Sequence, residues 1–338
     1  MKFFGKIFLL LLLIIPLLTE AQIKGPRRMA GGFSTLGRHK HYKEVIFGIG
    51  AANFLGEVGG ANQIGTHFWV KDLDFVATRP SAQLSYRLKF EEHWAVRGGF
   101  YYQRVTGSDK YTTEIYRHNR NLSFSTNLFE ISGQVEYFYT KENPTKRYKI
   151  KGTKGYSNWN IQGYVFLGVG CLFFNPKAKY DGKWVALHPL GTEGQGLAGG
   201  PKSYSRFTVV IPYGLGFKQN IDKEWTAGIE FGLRKTYSDY IDDASNTYYN
   251  NASISQKRGA TAAALADPKL QQMPSELDPY QNYEKRTLMG LSSANQTGSG
   301  QQRGDVKEKD SYLFVNITIG YKISSRHSRA FRRHRSHF

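Results

Sequence analysis

A strict two-residue alternation in the segment Phe129 to Tyr139 constrains this chain more than any other feature. Phe129, Ile131, Val135, Tyr137 and Tyr139 fall on one face, and Glu130, Ser132, Gln134 and Glu136 on the other. Successive side chains of a strand point to opposite faces, so the segment is a strand with one apolar and one polar face. The last such segment repeats the pattern. Leu313, Val315, Ile317, Ile319, Tyr321 and Ile323 oppose Asn316, Thr318, Gly320 and Lys322. In a soluble sandwich the apolar face would meet a second sheet. In a membrane barrel it meets lipid, and the polar face lines the interior.

The N-terminal residues separate these two readings. Lys2 and Lys6 precede an apolar run from Phe8 to Leu18, and Thr19, Glu20 and Ala21 follow it. A charged start, a short apolar run and a small residue predict a secretory signal peptide over residues 1–21, cleaved after Ala21. The run is too short for a spanning helix. No cysteine follows it closely, which argues against a lipoprotein anchor. No later stretch approaches the 18 apolar residues that a spanning helix needs. An exported chain that spans a membrane without helices must close into a barrel. The expected fold is therefore all-β, an eight-stranded antiparallel transmembrane β-barrel in the outer membrane, with long outer loops and lipid around it.

The formal net charge is +19, and the chain holds 22 Tyr and 22 Phe. A strongly basic balance fits nucleic acid, anionic headgroups or an acidic protein partner. Export argues against nucleic acid, and the aromatic content suits interfacial girdles. Cys171 is the sole cysteine, so neither an intramolecular disulfide nor a Cys-rich metal site can form. It falls at an apolar-face position of a strand.

Eight candidate strands emerge, at about 44–51, 79–90, 93–105, 123–139, 160–173, 206–220, 225–237 and 311–323. With both termini in the periplasm, the connections 52–78, 106–122, 174–205 and 238–310 are outer loops, and 91–92, 140–159 and 221–224 are inner turns. Long outer loops and shorter inner turns are the asymmetry of this class. The inner turn 140–159 is the exception, being long and basic, from Lys141 to Lys154. Arg87, Lys89, Arg97, Glu130, Glu136, Glu230, Arg234 and Lys322 point inward, with mixed sign. Eight strands leave room only for side chains, so these residues are expected to form an ionic plug. Residues 22–43 form a basic periplasmic segment, 44–323 the barrel and 324–338 a basic tail. Within the longest loop, Ala260–Leu265 suggests a turn or two of helix, and Ser292–Gly304 reads as flexible.

Chemical motifs are sparse. Gly48-Ile49-Gly50 lacks the third glycine and the turn of a dinucleotide fingerprint, and small residues for close strand packing explain it better. Asp239, Asp242 and Asp243 cluster at the outer end of a strand, where they could cap a loop, bind calcium or act with His67 or His188 in an outer-membrane protease. Loop capping through backbone hydrogen bonds is the simplest reading. His39 and His41 flank Lys40 in the basic N-terminal segment and read as solvated. No catalytic, cofactor-binding or metal residue is assigned.

Several longer stretches carry a resemblance. They are Gly48–Glu57 with Gly59–Gly65, Asn119–Phe124, Phe174–Lys177, Gly182–Trp184, and Leu187 with Pro189–Gly196. Tyr237–Asp243, Gln301–Gly304 and Lys309–Tyr312 complete the set. Together they resemble the outer-membrane β-barrel family of Bacteroidetes that includes PorG, a component of the type IX secretion system. The likeness covers about residues 42 to 323. It implies an eight-stranded barrel without enzyme activity or cofactor. It also implies association with a periplasmic secretion ring of PorK and PorN type. The expected function is thus a non-enzymatic structural component of type IX secretion. An outer-membrane enzyme of protease or acyltransferase type, or a small passive pore, are the alternatives.

Overall fold

The computed structural model describes residues 42–59, 77–111, 115–140, 161–221, 224–268, 297–306 and 309–323. The expected signal segment, most of the basic N-terminal segment with His39 and His41, His67, nearly all of the expected inner turn 140–159 and the tail 324–338 lie outside the described residues.

Among the described residues nine strands form: β1 Tyr42–Leu55, β2 Arg79–Lys89, β3 Trp94–Ser108, β4 Ser123–Phe138, β5 Ile161–Tyr180, β6 Lys183–Ala186, β7 Phe207–Asn220, β8 Trp225–Thr236 and β9 Ser311–Ile323. Their order is β4–β3–β2–β1–β9–β8–β7–β5, and β4 pairs with β5 to close the ring. All these pairs are antiparallel. β6 folds back on the end of β5 as a hairpin. The barrel therefore has eight strands, and closure leaves its wall without a free edge.

The register aligns outward-facing side chains. Phe47, Leu84, Phe100, Ile131, Cys171 and Val209 are successive partners across six strands. Ile131 is 68% exposed and Ile317 65%, in an apolar band far larger than a soluble surface carries. Aromatic girdles bound the band. At the inner end Trp94 meets Tyr137 at 5.0 Å and Trp225 meets Tyr321 at 5.1 Å. At the outer end Tyr102, Phe129, Phe173 and Phe207 stand in a row, with centroids 5.3, 6.4 and 4.9 Å apart. On β4, Tyr137 and Phe129 are eight residues apart, which is roughly 20 Å along the membrane normal at the usual rise and tilt. The band is thus the height of a hydrocarbon core, and the barrel is a membrane-spanning one. Among the described residues no helix is long and apolar enough to cross a membrane.

Three departures from the sequence reading concern the outer loops. β5 runs seven residues past Phe173, to Tyr180, and turns back through Asp181 (φ 47°) and Gly182 (φ 76°) into β6. Positive φ at both central residues is the tight-hairpin geometry. The expected boundary fails because β5 reverses its polarity on leaving the membrane. Lys177 and Lys179 now face out, while Phe174 and Ala178 are buried under the loops. Second, a helix Asn251–Arg258 precedes the expected one at Ala260–Ala266. Asn250 caps it, its side chain accepting from Ser253 N at 3.0 Å. Ile254 is its only buried residue, so it has no apolar periodicity to read. Third, the described part of Ser292–Gly304 makes specific contacts within the cap. Gln302 bridges to Thr247, and Arg303 is 2% exposed.

The filled lumen and its outer cap

Inward alternation puts the charges of seven strands into one narrow space. At the inner end, Arg87 of β2 donates from Nη1 to Glu44 of β1 at 2.8 Å and from Nη2 to Glu136 of β4 at 3.0 Å. Lys218 of β7 reaches Glu44 at 2.9 Å and the Tyr42 hydroxyl at 2.6 Å. Midway, Arg97 of β3 meets Glu230 of β8 and Gln134 of β4. Tyr164 donates its hydroxyl proton to Glu230 at 2.9 Å. Further out, Arg234 of β8 donates to Glu130 of β4 at 3.0 Å. All four glutamates are fully buried. Phe166 and Phe314 fill the gaps and offer ring faces to Arg97 at 5.0 Å and Arg234 at 4.4 Å.

Every residue expected in the plug points inward, and the structure adds Glu44 and Lys218. The period-2 rule could have found both. Glu44 stands out of phase with Val45, Phe47 and Ile49, as Lys218 does with Leu215 and Phe217. Gly320 makes room for this network. A Cβ there would lie 2.5 Å from Glu44 Oε1 and against Thr226 Oγ1. Close strand packing also accounts for Gly50, where a Cβ would collide with the Val315 carbonyl oxygen.

Above the ions the outer mouth is closed by an apolar cluster that includes Phe54, Val105, Phe124, Leu128, Phe174 and Val210 from the wall, with Ile241 and Ala244 from the β8–β9 loop. The loop is tied down at Ile241. Its carbonyl accepts from Thr126 Oγ1 at 2.7 Å, and its N–H donates to Asp310 Oδ2 at 2.8 Å.

The three aspartates singled out in the sequence lie in this cap, all buried. Asp242 accepts from Val58 N at 3.2 Å and Ala244 N at 3.0 Å. Asp239 accepts from Ser245 Oγ at 2.6 Å. Asp243 accepts from the Tyr204 hydroxyl at 2.7 Å and from Thr192 Oγ1 at 2.5 Å. His188 is not at the aspartates' hydrogen bonds; its Nε2 lies 3.0 Å from the Tyr204 carbonyl. Sequence reasoning missed the groups around them. Arg120 donates to Asp109 at 2.8 Å, to the Arg303 carbonyl at 2.8 Å and to the Glu57 carbonyl at 3.0 Å. Arg303 in turn donates to Glu193 at 3.0 Å.

Burial raises the carboxyl pKa values of the cap. Glu57 is pushed up to about 9 by burial and by neighbouring Asp242, and Asp242 itself to about 7, chiefly by burial. Burial likewise lifts Asp239 and Asp243 to about 6, and Asp310 well above the usual carboxylate range. These groups fasten loops, mostly through backbone N–H and hydroxyl donors. Among the described residues, no three His, Cys, Asp or Glu side chains stand in metal-holding geometry.

A family model described as "Domain of unknown function (DUF6089)" matches residues 33–259, more than half of the chain. No curated protein matches. Among solved structures, the chain is similar to the outer membrane protein OprG of Pseudomonas aeruginosa, at 10% identity and a TM-score of 0.34, covering 85% of this chain and 98% of that one. It is also similar to Ail, the attachment invasion locus protein of Yersinia pestis, solved with the heparin analogue sucrose octasulfate. That match has 10% identity and a TM-score of 0.33, and covers 83% of this chain and 99% of that one.

Proposed function

This chain belongs to the DUF6089 family, and we propose that it is a non-conducting, non-enzymatic outer-membrane barrel that serves as a structural component of type IX protein secretion. Its partner in this reading is a periplasmic ring of PorK and PorN type. The observation that carries the first half is the lumen. Ion pairs run from wall to wall, and an apolar cap sits above them, so the barrel works through its surfaces rather than its interior. That speaks against the passive pore. The carboxylates of the cap are buried and accept loop hydrogen bonds, and the hydroxyls beside them, Ser245 on Asp239 and Thr192 on Asp243, have no histidine among their hydrogen-bond partners in the described residues, which speaks against the enzyme. The secretion role is supported by the sequence resemblance and by the basic segments Arg27–Lys43, Lys141–Lys154 and Arg326–Arg335. All three belong to the periplasmic side if the long loops face out, and clustered Lys and Arg steer association with an acidic surface.

The test is deletion of the gene with assay of type IX cargo. Export should fail while the bulk composition of the outer membrane stays unchanged. Normal export sinks the secretion role. Reversing four charges within Lys141–Lys154 should weaken co-purification with ring proteins. If it does not, the contact lies elsewhere. Purified protein in planar bilayers should show no steady conductance, and a stable open channel would restore the pore reading.

A further inference from the structure

The outer rim of β3 to β6 carries cations that neither the lumen nor the cap uses. Arg104, Lys177 and Lys179 all lie on the outward face, above the row Tyr102, Phe129, Phe173 and Phe207. That row marks the outer edge of the hydrocarbon, since aromatic girdles sit at the interface. Arg104 is two residues beyond Tyr102 and Lys177 four beyond Phe173. At the strand rise and tilt of a barrel this places them about 5 and 10 Å above the girdle, at headgroup depth.

The rim is built rather than scattered. Arg104 Nε donates to Ser125 Oγ at 3.0 Å, and its guanidinium lies 5.8 Å from the centre of the Trp184 ring. Ser125 is the direct cross-strand partner of Lys177, and Lys179 that of Trp184. Arg104 of β3 thus already reaches over to Ser125 on β4, and Lys177 stands one strand further, about 5 Å beyond it, so the two cations can close on one small anion. Arg206, with its guanidinium 5.5 Å from the Phe173 ring centre, adds a cation at the girdle itself. The acids of β3, β4 and β5, Glu130 and Glu136, all point into the lumen. Among the described residues near the rim, Asp181 at the hairpin tip is the acid outside it. On the far wall the outward positions at the same end are Ala51 and Asn53 of β1, Leu313 of β9, and Leu233 and Lys235 of β8, so its cation stands apart.

We infer that this rim is a binding site for the phosphate of an outer-leaflet glycolipid headgroup. Arg104 and Lys177 take the phosphate oxygens, Trp184 packs on the sugar, and the acyl chains run down over the girdle. Guanidinium and ammonium groups are the standard phosphate donors. Basic pockets at interface depth select lipid headgroups in the same way. The inference depends on the outward orientation of the long loops and not on the secretion role.

Native mass spectrometry of the full barrel, titrated with lipid A bearing both phosphates, with the same lipid stripped of them and with phosphatidylglycerol, tests it. Wild type should hold one lipid A, at least roughly tenfold more tightly than the stripped lipid or phosphatidylglycerol. Arg104→Gln with Lys177→Gln and Lys179→Gln should abolish the preference, whereas Lys235→Gln, an isolated outward cation of β8, should keep it. Heat-modifiable migration reports folding of each variant. Should the triple variant fail to fold, Lys177→Gln alone and the wild-type comparison of the two lipid A forms still decide. Equal affinity for the stripped lipid, equal affinity for phosphatidylglycerol, or an unchanged preference in the folded triple variant would each overturn the assignment.

Discussion

Arg97 Nη2 donates to Glu230 Oε1 at 3.1 Å although β3 and β8 stand on opposite walls of the barrel, four strands apart in either direction. The residues are 133 positions apart in sequence. A direct contact across the diameter leaves no water column at that level. Desolvating a charge pair is costly, and such a pair persists only because further donors saturate it. Here Tyr164 and Gln134 supply them.

Removing one partner strands a buried charge. Glu230→Gln and Arg97→Met should each cost about 3–5 kcal/mol in unfolding from lipid vesicles. The double variant should cost less than the sum by about 1–3 kcal/mol. Strict additivity in urea titrations would mean that the two side chains do not share one network.

Ile317 is outward and strongly exposed, at the height of its partners Ile49 and Ile229. Ile317→Arg should cost about 2–4 kcal/mol near the midplane. Gln134 faces the other way. Its Oε1 accepts from Arg97 Nη2 at 2.5 Å and its Nε2 donates to the Tyr101 hydroxyl at 3.0 Å. Gln134→Arg therefore sets like charges together and is expected to be no milder. Gln134→Glu should be better tolerated than Gln134→Arg. Equal folding yields for those two would sink the charge argument.

Gly320→Val pushes methyl groups into the Glu44 carboxylate, and overpacking of this kind costs about 1–3 kcal/mol. Gly98 makes the control. It faces outward, and a Cβ there meets nothing within 4 Å. Gly98→Ala should leave the unfolding midpoint unchanged.

The cap should tighten in mild acid. The folded pKa values of Asp239 (about 6), Asp242 (about 7) and Glu57 (about 9) lie above the ordinary carboxylate range. The folded state thus holds more protons than the unfolded one. Its stability is fully present below about pH 4 and is lost as pH rises through 6 to 9. Amide exchange around Ile241–Ser245, corrected for intrinsic rate, should be slower at pH 5 than at pH 8, and Asp242→Asn should flatten the difference. Faster exchange at pH 5 would reverse the sign of the electrostatics.

Orientation is testable with one thiol. Ser299 lies in an exposed turn of the β8–β9 loop. In a Cys171→Ser background, Ser299→Cys should react with an impermeant maleimide on intact cells, whereas Ser336→Cys should need permeabilised ones. The opposite result would put the long loops in the periplasm.

The alternation of Phe129–Tyr139 and of Leu313–Ile323 determined strands and their faces, and the signal-like N-terminal segment turned that pattern into a barrel rather than a sandwich. A membrane wall is one residue thick, so each side chain meets either lipid or lumen, and period 2 records which. Most of the plug was legible for the same reason. Which charges meet was not. Arg97 and Glu230 find each other only when closure of the ring brings β3 opposite β8, and nothing local encodes a diameter. The outer end was hidden more deeply. Beyond the girdle the lipid no longer enforces a code, so β5 continues with reversed polarity and Ser292–Gly304 looks flexible. Yet Arg303, within it, is buried against Glu193. Asp242 reads in sequence as a loop acid. Tertiary folding alone brings it beside Glu57 and Asp310, where shared burial, rather than any motif, raises their proton affinity.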